Sequence, residues 1–353
     1  MVVAGYFGCG NLGDEAVLAG FLTSLRDHPI RPIVLSGNAE KTYQAHNIRG
    51  IPRRDTSAIV AELRESHALV FAGGSLLQDV TSLASLHYYC NLIRLGKKCG
   101  KPVFLLAQGI GPIRSFFGKA MAKSALNLCD VITVRDPESL QTIRKLGVKK
   151  NVTVTADFAW LCPSDTTSKE EFGLPGMTSV GIAARPWKGM KNPAAIFGNF
   201  ALTLFKNNYV PVLIEMDKTK DGELLDAIAK LHGGRCPDIR NLSSPSQLLA
   251  RIQRLHSMVA MRLHAGILAC VAGIPPMMIS YDPKISAFAE IMQLPTPLSV
   301  ENLTPDRLWN AFQEYERQKD NLKLILEKKR LEQTELARKN VTILTERLPA
   351  LAG

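Results

Sequence analysis

Short apolar runs alternate with stretches of helical periodicity along most of this chain, and the alternation stops once and restarts. Val2–Tyr6, Pro32–Leu35, Ala68–Ala72, Pro102–Ala107, Val131–Val134 and Val152–Thr155 read as strands. Between them Asp14–Leu25, Asp55–Leu63, Leu76–Leu95, Phe116–Leu128 and Pro137–Leu146 read as helices. Strands that are apolar on both faces and separated by helices belong to a parallel sheet covered on both sides. The break, Cys162–Met177, is rich in Pro, Ser, Thr, Gly and charge and reads as a linker. Alternation then resumes with strands Ser179–Ala184 and Val210–Glu215, and with helices Pro193–Phe205, Gly222–Leu231 and Ser246–Arg254. The expected fold is α/β and GT-B-like: two Rossmann-like, doubly wound domains facing across a cleft. Residues 1–165 form the first domain, 176–303 the second, and 304–353 a helical tail, read either as a solvated helix pair or as a segment crossing back over the first domain. At 353 residues the chain can build two cores.

The second alternation ends in the stretch that carries most chemistry, Ser257–Lys284. Met258–Met261 has strand length, Ala265–Val271 is a small apolar helix, Gly273 is its stop, and Pro276–Ser280 is the next strand. Arg262 and His264 therefore stand at the carboxyl end of a parallel strand and at a helix N-terminus. Open α/β sheets bind ligands at that edge, and the helix N-terminus attracts anions. Lys284 follows the next strand and is expected at the same edge. Two cations beside an imidazole make a site for a small anion. An empty site disfavours the imidazolium, and a bound anion restores its proton, which suits a general acid.

The first half offers a different chemistry. Gly8-Cys9-Gly10-Asn11-Leu12-Gly13 matches GxGxxG, but the second strand ends Leu35-Ser36-Gly37-Asn38 with no acid for a ribose. Asp14 and Glu15 would also repel a pyrophosphate at the helix start. The turn is read either as structural, with Asp14 as N-cap, or as meeting a neutral hydroxylated ligand, with Asp14 as acceptor or base. Gly73-Gly74-Ser75, with Gln78 and Asp79 beyond it, and Gln108-Gly109 follow later strands in the same manner. Asn11, Asp14, Ser75, Asp79 and Gln108 are the candidate acceptor residues. Arg135, after Val131–Val134, is either half of a surface pair with Asp136 or a cleft-facing grip for carboxylate or phosphate. Arg185 has the same position after its own strand.

GYFGCGNLGDEA, AGGSLLQD, AQGIGP, VRDPES, AMRLHAGILA and GIPPMMISYDPK occur in this order from Gly5 to Lys284. The ordered set resembles the polysaccharide pyruvyl transferase family, most closely its bacterial cell-wall branch. The resemblance implies transfer of the enolpyruvyl-derived group of phosphoenolpyruvate (PEP) to a sugar, with a pyruvate ketal formed and phosphate released. It implies as acceptor an N-acetylmannosamine unit of a lipid-linked cell-wall polysaccharide precursor, whose ketal anchors S-layer-homology proteins. Donor-site residues carry onto Arg135 in VRD, Arg262 and His264 in RLH, and Lys284 in YDPK, and Asp55 in PRRD onto the acceptor side. The expected catalytic set is His264, Arg262 and Asp14. PEP is a co-substrate, and no cofactor or metal is expected.

A nucleotide-sugar glycosyltransferase on the same fold is the alternative. It wants a ribose-binding carboxylate beside Ala265–Val271, where the sequence has none. A silent carbohydrate-binding protein is a third reading, which Arg262, His264 and Lys284 argue against. The net charge of +11 implies an anionic partner, and the absence of a recognition motif with interleaved aromatics sets nucleic acid aside. Seven scattered cysteines without CxxC spacing point to a reducing compartment and away from structural zinc. With no long apolar run and no signal-like start, a cytoplasmic location is expected. Phe116–Leu128, with Lys119 and Lys123, is read first as a sheet-covering helix and second as a peripheral contact with the inner face of the membrane.

Overall fold

The computed structural model describes residues 1–352 apart from positions 81, 168–171, 173, 175 and 235, so the expected linker lies partly outside the described residues. The chain divides into two compact units: residues 1–9, 14–161 and 333–353 form the first, and 10–13 with 162–332 the second.

In the first unit β1 (Val2–Phe7), α1 (Leu12–Ser24), β2 (Ile33–Ser36), α2 (Ala39–His46), β3 (Gly50–Pro52), α3 (Thr56–Glu65), β4 (Leu69–Ala72), α4 (Leu83–Lys98), β5 (Val103–Gln108), α5 (Phe116–Leu128), β6 (Val131–Val134), α6 (Pro137–Lys145) and β7 (Val152–Val154) follow in order. The seven strands pair in parallel in the order β3-β2-β1-β4-β5-β6-β7. β4, β5 and β6 are buried at every position, which is why they are continuous apolar runs. Leu69, Phe71, Val103 and Leu105 pack with Leu86, Ile93 and Leu126 from the covering helices. Side-chain caps fix several helix starts. Ser82, Ser115 and Asp136 accept from the backbone N–H three residues on, at α4, α5 and α6.

The second unit contains β8 (Thr178–Ala183), α7 (Pro193–Lys206), β9 (Tyr209–Ile214), α8 (Lys218–Leu231), β10 (Asp238–Ile239), α9 (Pro245–Ile252), β11 (Ser257–Ala260), α10 (Leu263–Val271), β12 (Met277–Ser280), α11 (Pro283–Ile291) and β13 (Leu298–Ser299). Its six strands are again parallel, in the order β10-β9-β8-β11-β12-β13. Val180, Ile182, Val259 and Ile279 meet Phe197, Phe200 and Phe312 in its core. Both sheets reverse their strand order, between β1 and β4 and between β8 and β11. Ligands of open α/β sheets bind at the carboxyl ends on either side of such a reversal.

The tail is one helix, α12 (Pro305–Ala352), whose residues to Glu332 belong to the second unit and from Gln333 to the first. In the first unit Asn340 accepts from Thr133 and Thr155 Oγ1 and donates to the Ala156 carbonyl. Two helix starts differ from the sequence reading. α1 begins at Leu12, so Asp14 lies inside its first turn and is not the N-cap. α4 begins at Leu83, because Leu77 bridges Ile110 and Asp79 bonds to Arg114 and Ser115.

Candidate functional site

In the second unit, β11 delivers Arg262 to the N-cap of α10 with extended backbone (φ −90°, ψ 134°), which puts His264 in the first helical turn. The Arg262 guanidinium is buried and donates to Asp221 Oδ1 from Nε (3.2 Å) and from Nη2, with Asp217 Oδ2 4.0 Å away. Among the described residues its Nη1 makes no hydrogen bond, which leaves that edge for an anion. Asp221 is fully buried, and its other oxygen accepts from the Asp217 N–H at 3.0 Å. Burial pushes its carboxyl above the ordinary carboxylate range, against the pull of the Arg262 guanidinium. For Asp217 burial works the same way, but hydrogen bonds from Lys220 and Thr219 outweigh it and hold that carboxyl below its usual value.

The loop Gly10–Gly13 clusters with this unit. Leu12 N–H donates to the Met216 carbonyl at 2.8 Å, and Asn11 bridges Asp217. Asn11 Oδ1 accepts from Gly13 N–H, so this acceptor candidate also shapes the turn. A Cβ on Gly13 would stand 2.5 Å from His264 Nδ1 and 2.8 Å from its Cβ. Only glycine lets the imidazole lie there. Lys284 opens α11 from the end of β12, with Nζ 3.4 Å from Asp282 Oδ2. This partly exposed pair is too weak to withhold the ammonium from a ligand. Arg185, past the end of β8, donates from Nη1 to Tyr281 Oη at 2.9 Å. Its guanidinium carbon lies 4.8 Å from the Tyr281 ring centre and 5.4 Å from that of Trp187. The second unit thus gathers Arg185, Arg262, His264 and Lys284 on elements that follow three adjacent strands.

In the first unit Arg135 is buried, and each of its nitrogens has a partner. Nη1 donates to Asp157 Oδ2 and Nη2 to Ser75 Oγ, both at 2.8 Å, and Nε lies 3.5 Å from Asp136 Oδ2. Burial works against its charge, but Asp157 and Asp136 outweigh it and raise its pKa. Gly109 permits this approach, since a Cβ there would sit 2.6 Å from Ser75 Oγ and 2.8 Å from Nη2. Gln108 is fully buried and donates to the Gly73 carbonyl at 2.6 Å, so it braces the loop above it.

Asp79 accepts from Arg114 N–H, Ser115 N–H and Ser115 Oγ. Burial would raise its pKa, but these donors prevail and lower it. Asp55 caps α3, accepting from Ala58 N–H and Ser57 Oγ, and the Ser57 bond leads the lowering of its pKa. Asp14 lies in the first turn of α1. Glu15 folds back to accept from Gly8 N–H at 2.7 Å and pairs with His46 at 2.8 Å. Its carboxylate occupies the donor that a pyrophosphate on this turn would use.

The sequence reading did not find Asp157, Asp217 and Asp221. Asp157 lies just past the end of β7 and Asp217 just past β9, and that position is the signal that marks them. Asp221, inside α8, has no such mark. Among the described residues no group of three or more His, Cys, Asp or Glu side chains is arranged to hold a metal ion, and no helix is long and apolar enough to cross a membrane.

The sequence matches the family model described as polysaccharide pyruvyl transferase over residues 11–283. No curated protein matches it. Among solved structures, a putative UDP-N-acetylglucosamine 2-epimerase from Listeria monocytogenes superposes with a TM-score of 0.70 at 10% identity, over 98% of this chain and 96% of that one. The UDP-GlcNAc 2-epimerase from Neisseria meningitidis, bound to UDP-GlcNAc, gives 0.65 at 12% identity, over 98% and 100%. A glycosyltransferase from Rickettsia africae ESF-5 gives 0.61 at 13%, over 98% of both chains. At such identities these likenesses show the fold, which is GT-B-like.

Proposed function

The chain belongs to the polysaccharide pyruvyl transferase family, and from that premise we propose that it moves the enolpyruvyl-derived group of PEP onto a sugar as a pyruvate ketal. The proposed acceptor is N-acetylmannosamine on a lipid-linked precursor of the cell-wall polysaccharide that anchors S-layer-homology proteins. One observation carries the reading: His264 sits in the first turn of α10, two residues from an arginine fixed by a buried aspartate. A neutral sugar needs no such cations, whereas PEP brings a carboxylate and a phosphate.

In this reading Arg262 and Lys284 hold the anionic groups of PEP. The imidazolium of His264 gives its proton to the methylene carbon, which becomes the ketal methyl. Positive charge develops at C2 and one sugar hydroxyl attacks it. Phosphate then leaves C2 with the electron pair of its C–O bond, the second hydroxyl attacks, and a ketal forms. The two hydroxyl protons balance the step: one replaces the proton given by His264, and the other leaves with phosphate. Asp14 serves as acceptor-side base. Arg135 is proposed as a further PEP ligand, with Asp157 and Ser75 fixing its orientation. Asn11, Asp55, Ser75, Asp79 and Gln108 are proposed on the acceptor side, Gln108 through the loop it braces. The reaction as written uses no cofactor, and a cytoplasmic location would supply its PEP.

The test is incubation with PEP and a β-N-acetylmannosaminyl-lipid analogue. The expected result is one phosphate released per acceptor, which gains the mass of pyruvic acid less water. Sugar transfer from a nucleotide sugar, with no phosphate released from PEP, would instead favour the glycosyltransferase alternative.

A further inference from the structure

The first unit carries a surface feature that the proposed chemistry does not use. Phe116 and Phe117 open α5 side by side, 80% and 75% exposed, with ring centres 5.9 Å apart. They are not alone. Asp79 accepts from Arg114 N–H and Ser115 N–H, at 2.8 Å each, and so ties the loop just before Val80 to the residues preceding Phe116. Val80, next to Asp79, and Leu83, the first residue of α4, are themselves 48% and 44% exposed. Four large apolar side chains thus stand in water on two segments that are bonded together. Gly118, Ala122, Ala125 and Leu126 already bury the core-facing side of α5, so Phe116 and Phe117 are surplus to it.

The charge of the chain segment that forms this tip has one sign. From Val80 to Cys129 the sequence holds seven Lys and Arg and no Asp or Glu. Arg114, Lys119 and Lys123 are exposed on the same helix or immediately before it. Asp79, the carboxylate bonded to this segment, is occupied by its three hydrogen bonds. Neighbouring aromatic rings with a collar of cations fit the boundary of an anionic lipid bilayer: the rings enter the headgroup region and the lysines meet the lipid charge. A nucleic acid would use the cations but not four exposed apolar side chains, and an acidic protein partner would leave the ring tips no apolar phase to enter.

We propose that the tip formed by Val80, Leu83, Phe116 and Phe117, with Arg114, Lys119 and Lys123 around it, docks the protein onto an anionic membrane surface. The docking is peripheral, reversible and salt-sensitive, and it stands whether or not the reaction above is the one catalysed.

The test is co-sedimentation of the full chain with vesicles of phosphatidylglycerol and phosphatidylcholine in equal parts, and with phosphatidylcholine alone. The parent is expected to pellet with the anionic vesicles at low salt and to lose most of that binding in high salt. Phe116→Ser/Phe117→Ser and, separately, Lys119→Glu/Lys123→Glu should each weaken it by about tenfold or more. The phenylalanine variant should keep the parental melting temperature, because its side chains are already in water. Anionic-vesicle binding unchanged in the phenylalanine variant would overturn the proposal. So would a parental dimer that this variant dissociates while vesicle binding persists, which would assign the tip to a second copy of the chain.

Discussion

His264 and Gly13 leave no room between them, and that contact makes two substitutions informative. Gly13→Ala places a methyl 2.5 Å from Nδ1, so the imidazole must move. Misplacing a proton donor by about an ångström costs up to about 100-fold in rate. The expected outcome in the phosphate-release assay is a fall in kcat of about 10- to 100-fold, with a loss of stability of about 1–3 kcal/mol because the methyl also meets His264 Cβ at 2.8 Å. His264→Ala removes the acid, and turnover should vanish while calorimetry still detects PEP binding. Arg262→Ala should weaken PEP binding and also destabilise the protein. It leaves Asp221 buried and unpaired, which costs about 3–5 kcal/mol in urea unfolding. Equal PEP affinity in Arg262→Ala and parent would remove Arg262 from the donor site. The cations of this site are legible in the sequence because each follows an apolar run at a strand's carboxyl end. The carboxylate that positions Arg262 is not legible, since it lies 41 residues upstream on a helix whose periodicity says nothing about an arginine elsewhere. Asp157, 22 residues beyond Arg135, is hidden in the same way.

At the scale of elements, α12 brings a lysine into the second unit's interior. Lys319 is buried, donates to Ser257 Oγ at 2.6 Å and lies 3.6 Å from Glu316 Oε1. Burial pulls its pKa down to about 8, although Glu316 pulls the other way. Because the folded value lies below the unfolded one, the unfolded chain holds more protons between them, and stability rises with pH across that window. Below pH 8 the lysine is charged in both states and its penalty is complete. Urea unfolding of parent and Lys319→Met at pH 7.5 and pH 10 should show the parent gaining on the variant by up to about 3 kcal/mol. An unchanged difference would mean that the ammonium stays charged in the folded state. Most strands and covering helices were visible in the sequence, because double burial makes β4, β5 and β6 unbroken apolar runs. β3 and β13, of three and two residues, are too short to show a period, and α2 and α11 escaped with them. The early start read for α4 arose because Leu76 and Leu77 are apolar for a different reason: they pack into the core from a loop.

For the molecule as a whole, the charge of +11 acts on any anionic substrate before contact. A positive field raises association rates and is screened by salt. Raising the ionic strength from about 0.05 to 0.3 M should therefore lower kcat/KM for PEP several-fold, with kcat at saturation little changed. A kcat/KM independent of salt would show that the field plays no part. One more consequence follows from α12, which supplies residues to both units. Thr133 and Thr155 wait for Asn340, which lies 207 and 185 residues further on. On the ribosome the first unit's strands emerge early, yet Asn340, whose amide oxygen accepts from both hydroxyls, is made only after the whole second unit. The order of synthesis and the order of completion are thus opposed. A released chain that ends at Glu332 should hold a second unit that resists protease and a first unit that is still cut, and only the chain carrying residues 333–353 should protect both.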